Sequence, residues 1–303
     1  MMQLPPYVKS GDLVSIAAPA RWVDPEDIEN FLSLLEQEGL KTMTGSIFTR
    51  HHQFAGEDKA RLNDLQQMLD HPDIKAIFCA RGGYGTIRLL NKIDLKGFAE
   101  HPKWVVGFSD ITALHAYLQM RIGVACIHGA MPYTLKDVTD NQDPAVQSLF
   151  GILKGEFPGY TVPAHSLNRK GKSSGILLGG NLSMLCSLTG TLFQFPTRGA
   201  ILFLEEVDEY LYHIDRMMQN LKLAGMLENL AGLVVGGLTD MHDNEVPFGM
   251  DAAGIIREAA EEFDFPVCFD FPAGHIAGNM AMVLGREVAL EVSEEGSQLV
   301  YID

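Results

Sequence analysis

The sequence predicts an α/β protein: a doubly wound parallel sheet in the first half, and a second α/β domain of different topology behind it. Two observations carry this prediction. Between residues 11 and 129, short β-branched and apolar runs alternate with helical periodicities, and the joins are short and Gly-rich. Beyond residue 174 strands and helices still mix, but the alternation loses its regularity. The size agrees, since 303 residues suffice for two domains with full apolar cores. A hydrophobic content of 47% with 20% charged residues describes an ordinary globular chain.

Residues 11–19 read as a buried first strand ending in a Pro-containing loop. Asp24-Pro25 opens a helix with Ile28, Phe31, Leu32 and Leu35 on one face. Residues 39–44 form a second strand, 51–56 a loop, and 57–69 a polar helix carrying Leu62, Leu65 and Met68. A strand over 74–80 leads into Arg81-Gly-Gly-Tyr-Gly85 and a helix through Leu90. Residues 104–107 are again strand-like. From Asp110 onward, Ile111, Leu114 and Leu118 fall at helical spacing. Residues 122–127 form the next strand, ending at His128. Loops of such sheets collect their functional groups at the carboxyl ends of the strands, so Arg81, Ser109 and His128 are expected on one rim.

The first domain is expected over residues 1–155. Residues 156–174 are rich in Gly, Pro and Lys and read as a crossing between domains. The second domain, 175–303, is expected to hold a turn and helix over 179–190, strands over 199–205 and 230–237, and helices over 213–223 and 251–263. It closes on β-patterned runs near Val288 and Leu299.

A net charge of −16 argues against nucleic acid and anionic membrane as partners. No apolar run approaches the ~20 residues that span a bilayer, and the N-terminus lacks the basic-then-apolar pattern of a signal peptide. The four cysteines are scattered, which fits free thiols in a reducing, cytoplasmic setting. No Cys/His grouping has zinc spacing, and neither a metal nor a cofactor is expected. Arg81-Gly-Gly-Tyr-Gly85 can form an anion nest or simply a tight turn, but it lacks the third glycine of a dinucleotide fingerprint.

Three stretches stand out for chemistry. Ser109 sits where a strand turns into a helix, a geometry that lifts a hydroxyl clear of the sheet beside free helix N–H groups. The stretch departs from G-x-S-x-G because Ile111 replaces the second glycine, and serine is also a common helix cap. Glu205 and Glu206 directly follow an apolar strand, where carboxylates are either solvated or placed to orient a histidine. His275, between Gly274 and Ile276 in a post-strand loop, is of the ten histidines the one best placed to act as a base, although a histidine in such a loop is more often structural or simply exposed.

Together these stretches resemble the LD-carboxypeptidase family of serine peptidases, which includes muramoyl-tetrapeptide carboxypeptidases and microcin-C immunity proteins. The resemblance rests on Gly11-Asp12 with Ala18-Pro19, Phe54-Ala-Gly56, Arg81-Gly-Gly-Tyr-Gly85 and Gly107-Phe-Ser-Asp110. In the second half it rests on Gly179-Gly-Asn181, Leu204-Glu-Glu206, Ile214-Asp-Arg-Met217 and Gly274-His275. It implies a flavodoxin-like N-terminal domain, a smaller C-terminal domain and a homodimer. It also implies a triad of Ser109 as nucleophile, His275 as base and Glu205 as acidic member. The N–H of Asp110 and one from Gly82 or Gly83 would hold the oxyanion, and Arg81 or the loop amides the substrate carboxylate. The substrate implied is a cytoplasmic murein tetrapeptide that loses its terminal D-Ala. Two alternatives remain. One is cleavage of aminoacyl- or peptidyl-nucleotide conjugates, with Tyr210 and Tyr212 available to stack on a base. The other is a two-domain protein that binds a small ligand without chemistry.

Overall fold

The computed structural model describes residues 2–302; Met1 and Asp303, the outer ends of the two expected domains, lie outside the described residues. The chain divides into two compact units. One comprises residues 2–157 with 280–283, the other 158–279 with 284–302.

The first unit is built on β1 (Leu13–Ala17), β2 (Lys41–Thr44), β3 (Ile74–Cys79), β4 (Trp104–Gly107) and β5 (Cys126–His128). The strands are parallel and ordered β5-β4-β3-β1-β2, the flavodoxin-like arrangement. A sixth strand, β11 (Met282–Leu284), returns from the far end of the chain and lies outside β5. The helices are α1 (Glu29–Gln37), α2 (Asp58–Asp70), α3 (Lys96–Glu100), α4 (Thr112–Ile122) and α5 (Pro144–Lys154). Helix α1 buries Phe31, Leu34 and Leu35 as its spacing requires. In α4, by contrast, residues 112–119 are buried all round, including His115 and Gln119. The Ile111–Leu114–Leu118 stripe is therefore only one side of a fully enclosed helix.

Two local expectations fail for tertiary reasons. After Gly85 the chain makes two 3-10 turns, Thr86–Arg88 and Leu90–Lys92, rather than one α-helix. The Thr86 N–H, which would start that helix, donates instead to the Asp110 carboxylate at 2.9 Å. Gly179 and Gly180 belong to a strand, not a turn.

That strand, β7 (Gly171–Asn181), organises the second unit. Its first half pairs antiparallel with β12 (Glu287–Val292), its second half parallel with β8 (Ile201–Val207). Burial follows the pairing: it alternates in the first half and is nearly continuous in the second, where both faces are covered. The full sheet runs β10 (Val267–Cys268), β9 (Gly232–Thr239), β8, β7, β12, β13 (Gly296–Tyr301) and β6 (Tyr160–Pro163). Strand β6 and the start of β7 thus occupy residues whose composition alone suggests a crossing. Helices α6 (Leu182–Leu188), α7 (Leu211–Leu223) and α8 (Ala252–Ala259) complete the unit. Among the described residues no helix is long and apolar enough to cross a membrane.

One buried cation holds the first unit together at the end of α2. Lys103 is fully buried, and its Nζ donates to the carbonyls of Met68, Leu69 and His71 at 3.1, 2.8 and 2.5 Å. These are the carbonyls that a helix C-terminus leaves unpaired. Burial pushes the Lys103 pKa down to about 8. Lys103→Met keeps the stem but orphans three acceptors, which outweighs the relief of a desolvated charge. Unfolding free energy is expected to fall by about 1–3 kcal/mol, read as an earlier urea midpoint at unchanged slope.

Candidate active site

Ser109 follows β4 at a sharp elbow. Its φ is +62°, in the left-handed region that costs a side-chain-bearing residue about 1–3 kcal/mol. The residue opens a 3-10 turn, Ser109–Ile111, that runs into α4. No side chain caps either the turn or the helix, so Ser109 is not held here as a helix cap. Strain at a partly exposed serine points to a functional hydroxyl.

The expected rim is present. Parallel strands β3, β4 and β5 end side by side at Cys79, Gly107 and His128. Gly82, in the loop after β3, abuts the elbow: a Cβ there would lie 3.0 Å from Ser109 Cβ and 3.2 Å from its Oγ. The same point is 3.4 Å from Met131 Cε, which places a thioether beside the serine that the sequence did not single out. Gly83 turns the other way and lies against Arg21. Arg81 stacks its guanidinium 3.8 Å above the Tyr133 ring, and Tyr133 N–H is bonded to the Ala80 carbonyl. His128 is buried, its ring 5.6 Å from that of Phe108. The Asp110 side chain is buried and turned toward Thr86. Burial raises its pKa, against the pull of the Thr86 and Gly85 bonds and the Arg61 charge.

In the second unit Glu205 and His275 meet. His275 Nδ1 donates to Glu205 Oε2 at 2.6 Å, and the His275 backbone N–H approaches the same oxygen at 3.3 Å. Glu205 and Glu206 lie inside β8 and both are buried, so these carboxylates are no solvated strand end. The close approach requires Gly274: at φ +109° it carries no Cβ, and one would lie 2.7 Å from Glu205 Cβ. The loop is pinned further by Thr239 Oγ1 donating to the His275 carbonyl and by Asn279 Oδ1 accepting from Gly274 N–H, at 2.9 and 2.8 Å. A bulge in β9 at Gly236-Gly237 admits it, and Gly237 N–H bonds the Ala273 carbonyl.

Burial works against an imidazolium at His275. The Glu205 hydrogen bond and charge, helped by Glu206, outweigh it and hold the pKa above the ordinary value. Glu206 is itself buried. It accepts from Ser183 N–H, Asn181 Nδ2 and Val207 N–H at 2.7, 2.8 and 2.9 Å, yet burial with the Glu205 charge pushes its pKa up to about 7. Tyr210 and Tyr212 are exposed, their rings 5.8 Å apart.

Two family models match this chain: the LD-carboxypeptidase N-terminal domain over residues 13–129 and the LD-carboxypeptidase C-terminal domain over 174–290. The chain belongs to the LD-carboxypeptidase family. It is 35% identical to a probable murein peptide carboxypeptidase of Bacillus subtilis, over 96% of this chain and 92% of that protein. It is 32% identical to the murein tetrapeptide carboxypeptidase of Pseudomonas aeruginosa, over 92% of each. The crystal structure of a muramoyltetrapeptide carboxypeptidase from Oxalobacter formigenes superposes with a TM-score of 0.87 at 26% identity, covering 96% of this chain and 99% of that one. The protein is thus a serine-type LD-carboxypeptidase, which decides against a ligand-binding role without chemistry.

Proposed function

We propose that the protein hydrolyses the amide between the L-centre of meso-diaminopimelate and the terminal D-Ala of murein tetrapeptides, with Ser109, His275 and Glu205 as a triad. The observation that carries this is the buried Glu205–His275 pair, whose Nδ1–H bond selects the tautomer that makes Nε2 the basic nitrogen. In the reaction Ser109 Oγ attacks the carbonyl carbon while Nε2 takes its proton. The oxyanion is held by the Asp110 N–H and an N–H of Gly82 or Gly83. The imidazolium, stabilised by Glu205, protonates the departing amine and D-Ala leaves. Water, deprotonated by the same nitrogen, then frees Ser109 from the acyl-enzyme. Arg81 is the candidate partner of the substrate's free carboxylate. The names of the relatives support the substrate class, and scattered free cysteines fit a cytoplasmic site of action in wall recycling. The homodimer implied by the resemblance is part of the same proposal.

The test is purified protein with a murein tetrapeptide ending in D-Ala, read as free D-Ala, beside an aminoacyl sulfamoyl adenosine. Release of D-Ala with the nucleotide conjugate intact is the expected result. Cleavage of the conjugate alone would move the substrate to aminoacyl-nucleotides.

A further inference from the structure

One peptide unit in the Gly-rich loop is gripped from both ends by buried ionisable side chains. The Gly85 carbonyl accepts from Arg61 Nη1 at 3.2 Å, and the Thr86 N–H of the same peptide donates to Asp110 Oδ2 at 2.9 Å. Arg61 is 2% exposed and Asp110 1%. Arg61 reaches in from α2, where Asp58 Oδ1 accepts from its Nη2 at 2.5 Å and the Pro19 carbonyl also accepts from Nη1. The Phe54 ring lies 4.8 Å from its guanidinium carbon. Gly85, at φ +142°, leaves room for the cation: a Cβ there would stand 2.8 Å from Arg61 Nη1.

Burying two ionisable side chains is a costly way to hold a turn that apolar packing could hold. Their placement suggests why they are there. Asp110 directly follows Ser109 on the elbow, and the gripped peptide closes the loop whose Gly82 abuts that serine. A peptide held at both its polar ends cannot rotate, so the loop amides before it keep a fixed direction relative to the elbow. Donors aimed at a developing oxyanion act through such preorganisation.

We propose that Arg61 and Asp110 are positioning residues for acyl transfer: together they clamp the Gly85–Thr86 peptide and so fix the Gly82–Gly83 amides relative to Ser109. The proposal rests on Ser109 being the nucleophile.

The test compares Asp110→Ala, Asp110→Asn and Arg61→Met with the parent and with Ser109→Ala. Amide hydrogen exchange over residues 82–86 reads the clamp without reference to activity. It is expected to speed up in Asp110→Ala and Arg61→Met, with α4 unchanged. Displaced donors of this kind cost about 100-fold, so kcat in Asp110→Ala is expected to fall by about that factor with KM within about twofold. Asp110→Asn, which keeps an acceptor for Thr86 N–H, should recover about tenfold of this loss. Affinity for a peptide boronic acid, which forms a tetrahedral adduct on the serine, should fall with kcat. Affinity for the tripeptide product should not. Unchanged exchange in the loop overturns the clamp. So does faster exchange with kcat intact, or a kcat loss matched by an equal loss of product affinity. Turnover surviving in Ser109→Ala would sink the nucleophile reading instead, and with it the catalytic part of the proposal.

Discussion

Ser109→Ala is expected to cut turnover of the tetrapeptide by about a millionfold while tetrapeptide affinity stays within about threefold. The size follows from how the proposed triad would work. His275 and Glu205 have no reacting atom to serve once the hydroxyl is gone, so loss of the nucleophile alone removes nearly all that the three residues contribute. Binding survives because the Oγ makes its essential bond only during reaction. Stability should rise slightly or stay level, since alanine gives up no side-chain hydrogen bond among the described residues but still has to adopt the left-handed φ of +62°. Rapid-quench analysis with the parent should show a covalent acyl-enzyme, and the variant should show none. An alanine variant that keeps a tenth or more of the turnover would rule out Ser109 as the nucleophile.

Glu205→Gln is expected to lower kcat about 10⁴-fold and to move the acid limb of the kcat/KM profile to lower pH. In the proposed mechanism His275 must be neutral to take the Ser109 proton, so activity would rise as pH climbs through its pKa. In the parent, burial lowers that pKa, but the Glu205 bond and charge with the Glu206 charge raise it further, so the limb lies above the ordinary histidine value. Glutamine removes the Glu205 charge and weakens its hydrogen bond, leaving burial opposed chiefly by the Glu206 charge, so the pKa falls. It also allows the wrong tautomer, since an amide can donate to Nδ1 as well as accept from it. A limb that stays in place after the substitution, with a rate loss under about tenfold, would mean that Glu205 does not act on His275.

The parts of the site were legible in the sequence to different depths. Ser109 is visible as a candidate because a β-branched run ending at Gly107 and a helical periodicity starting at Ile111 leave a three-residue junction with the serine at its centre. The pattern leaves open whether it caps the helix or faces a substrate; the structure removes the first reading, with a positive φ and no side-chain cap there, and the second belongs to the proposed function. Glu205 and Glu206 are adjacent and alike in sequence. Only the fold separates them: one carboxylate meets the His275 loop, the other meets Asn181 and the backbone of Ser183 and Val207. The Gly236-Gly237 bulge that admits the loop carried no signal beyond two small residues near a strand end.

Local periodicity and turn chemistry were enough to determine the α/β class, the parallel strands of the first unit and the rim on which Ser109 lies. These depend on short-range pattern: which residues alternate, which recur every third or fourth position, and where glycine breaks the run. Tertiary structure alone decided the rest. It turned the expected helix after Gly85 into 3-10 turns by giving the Thr86 N–H to Asp110, brought β11 back beside β5, and split β7 between antiparallel and parallel partners. It also put Arg61 of α2 on the Gly85 carbonyl. Each of these joins groups far apart in the chain, and a buried polar group takes whichever partner the fold delivers, because leaving it unpaired costs more than giving up a local preference.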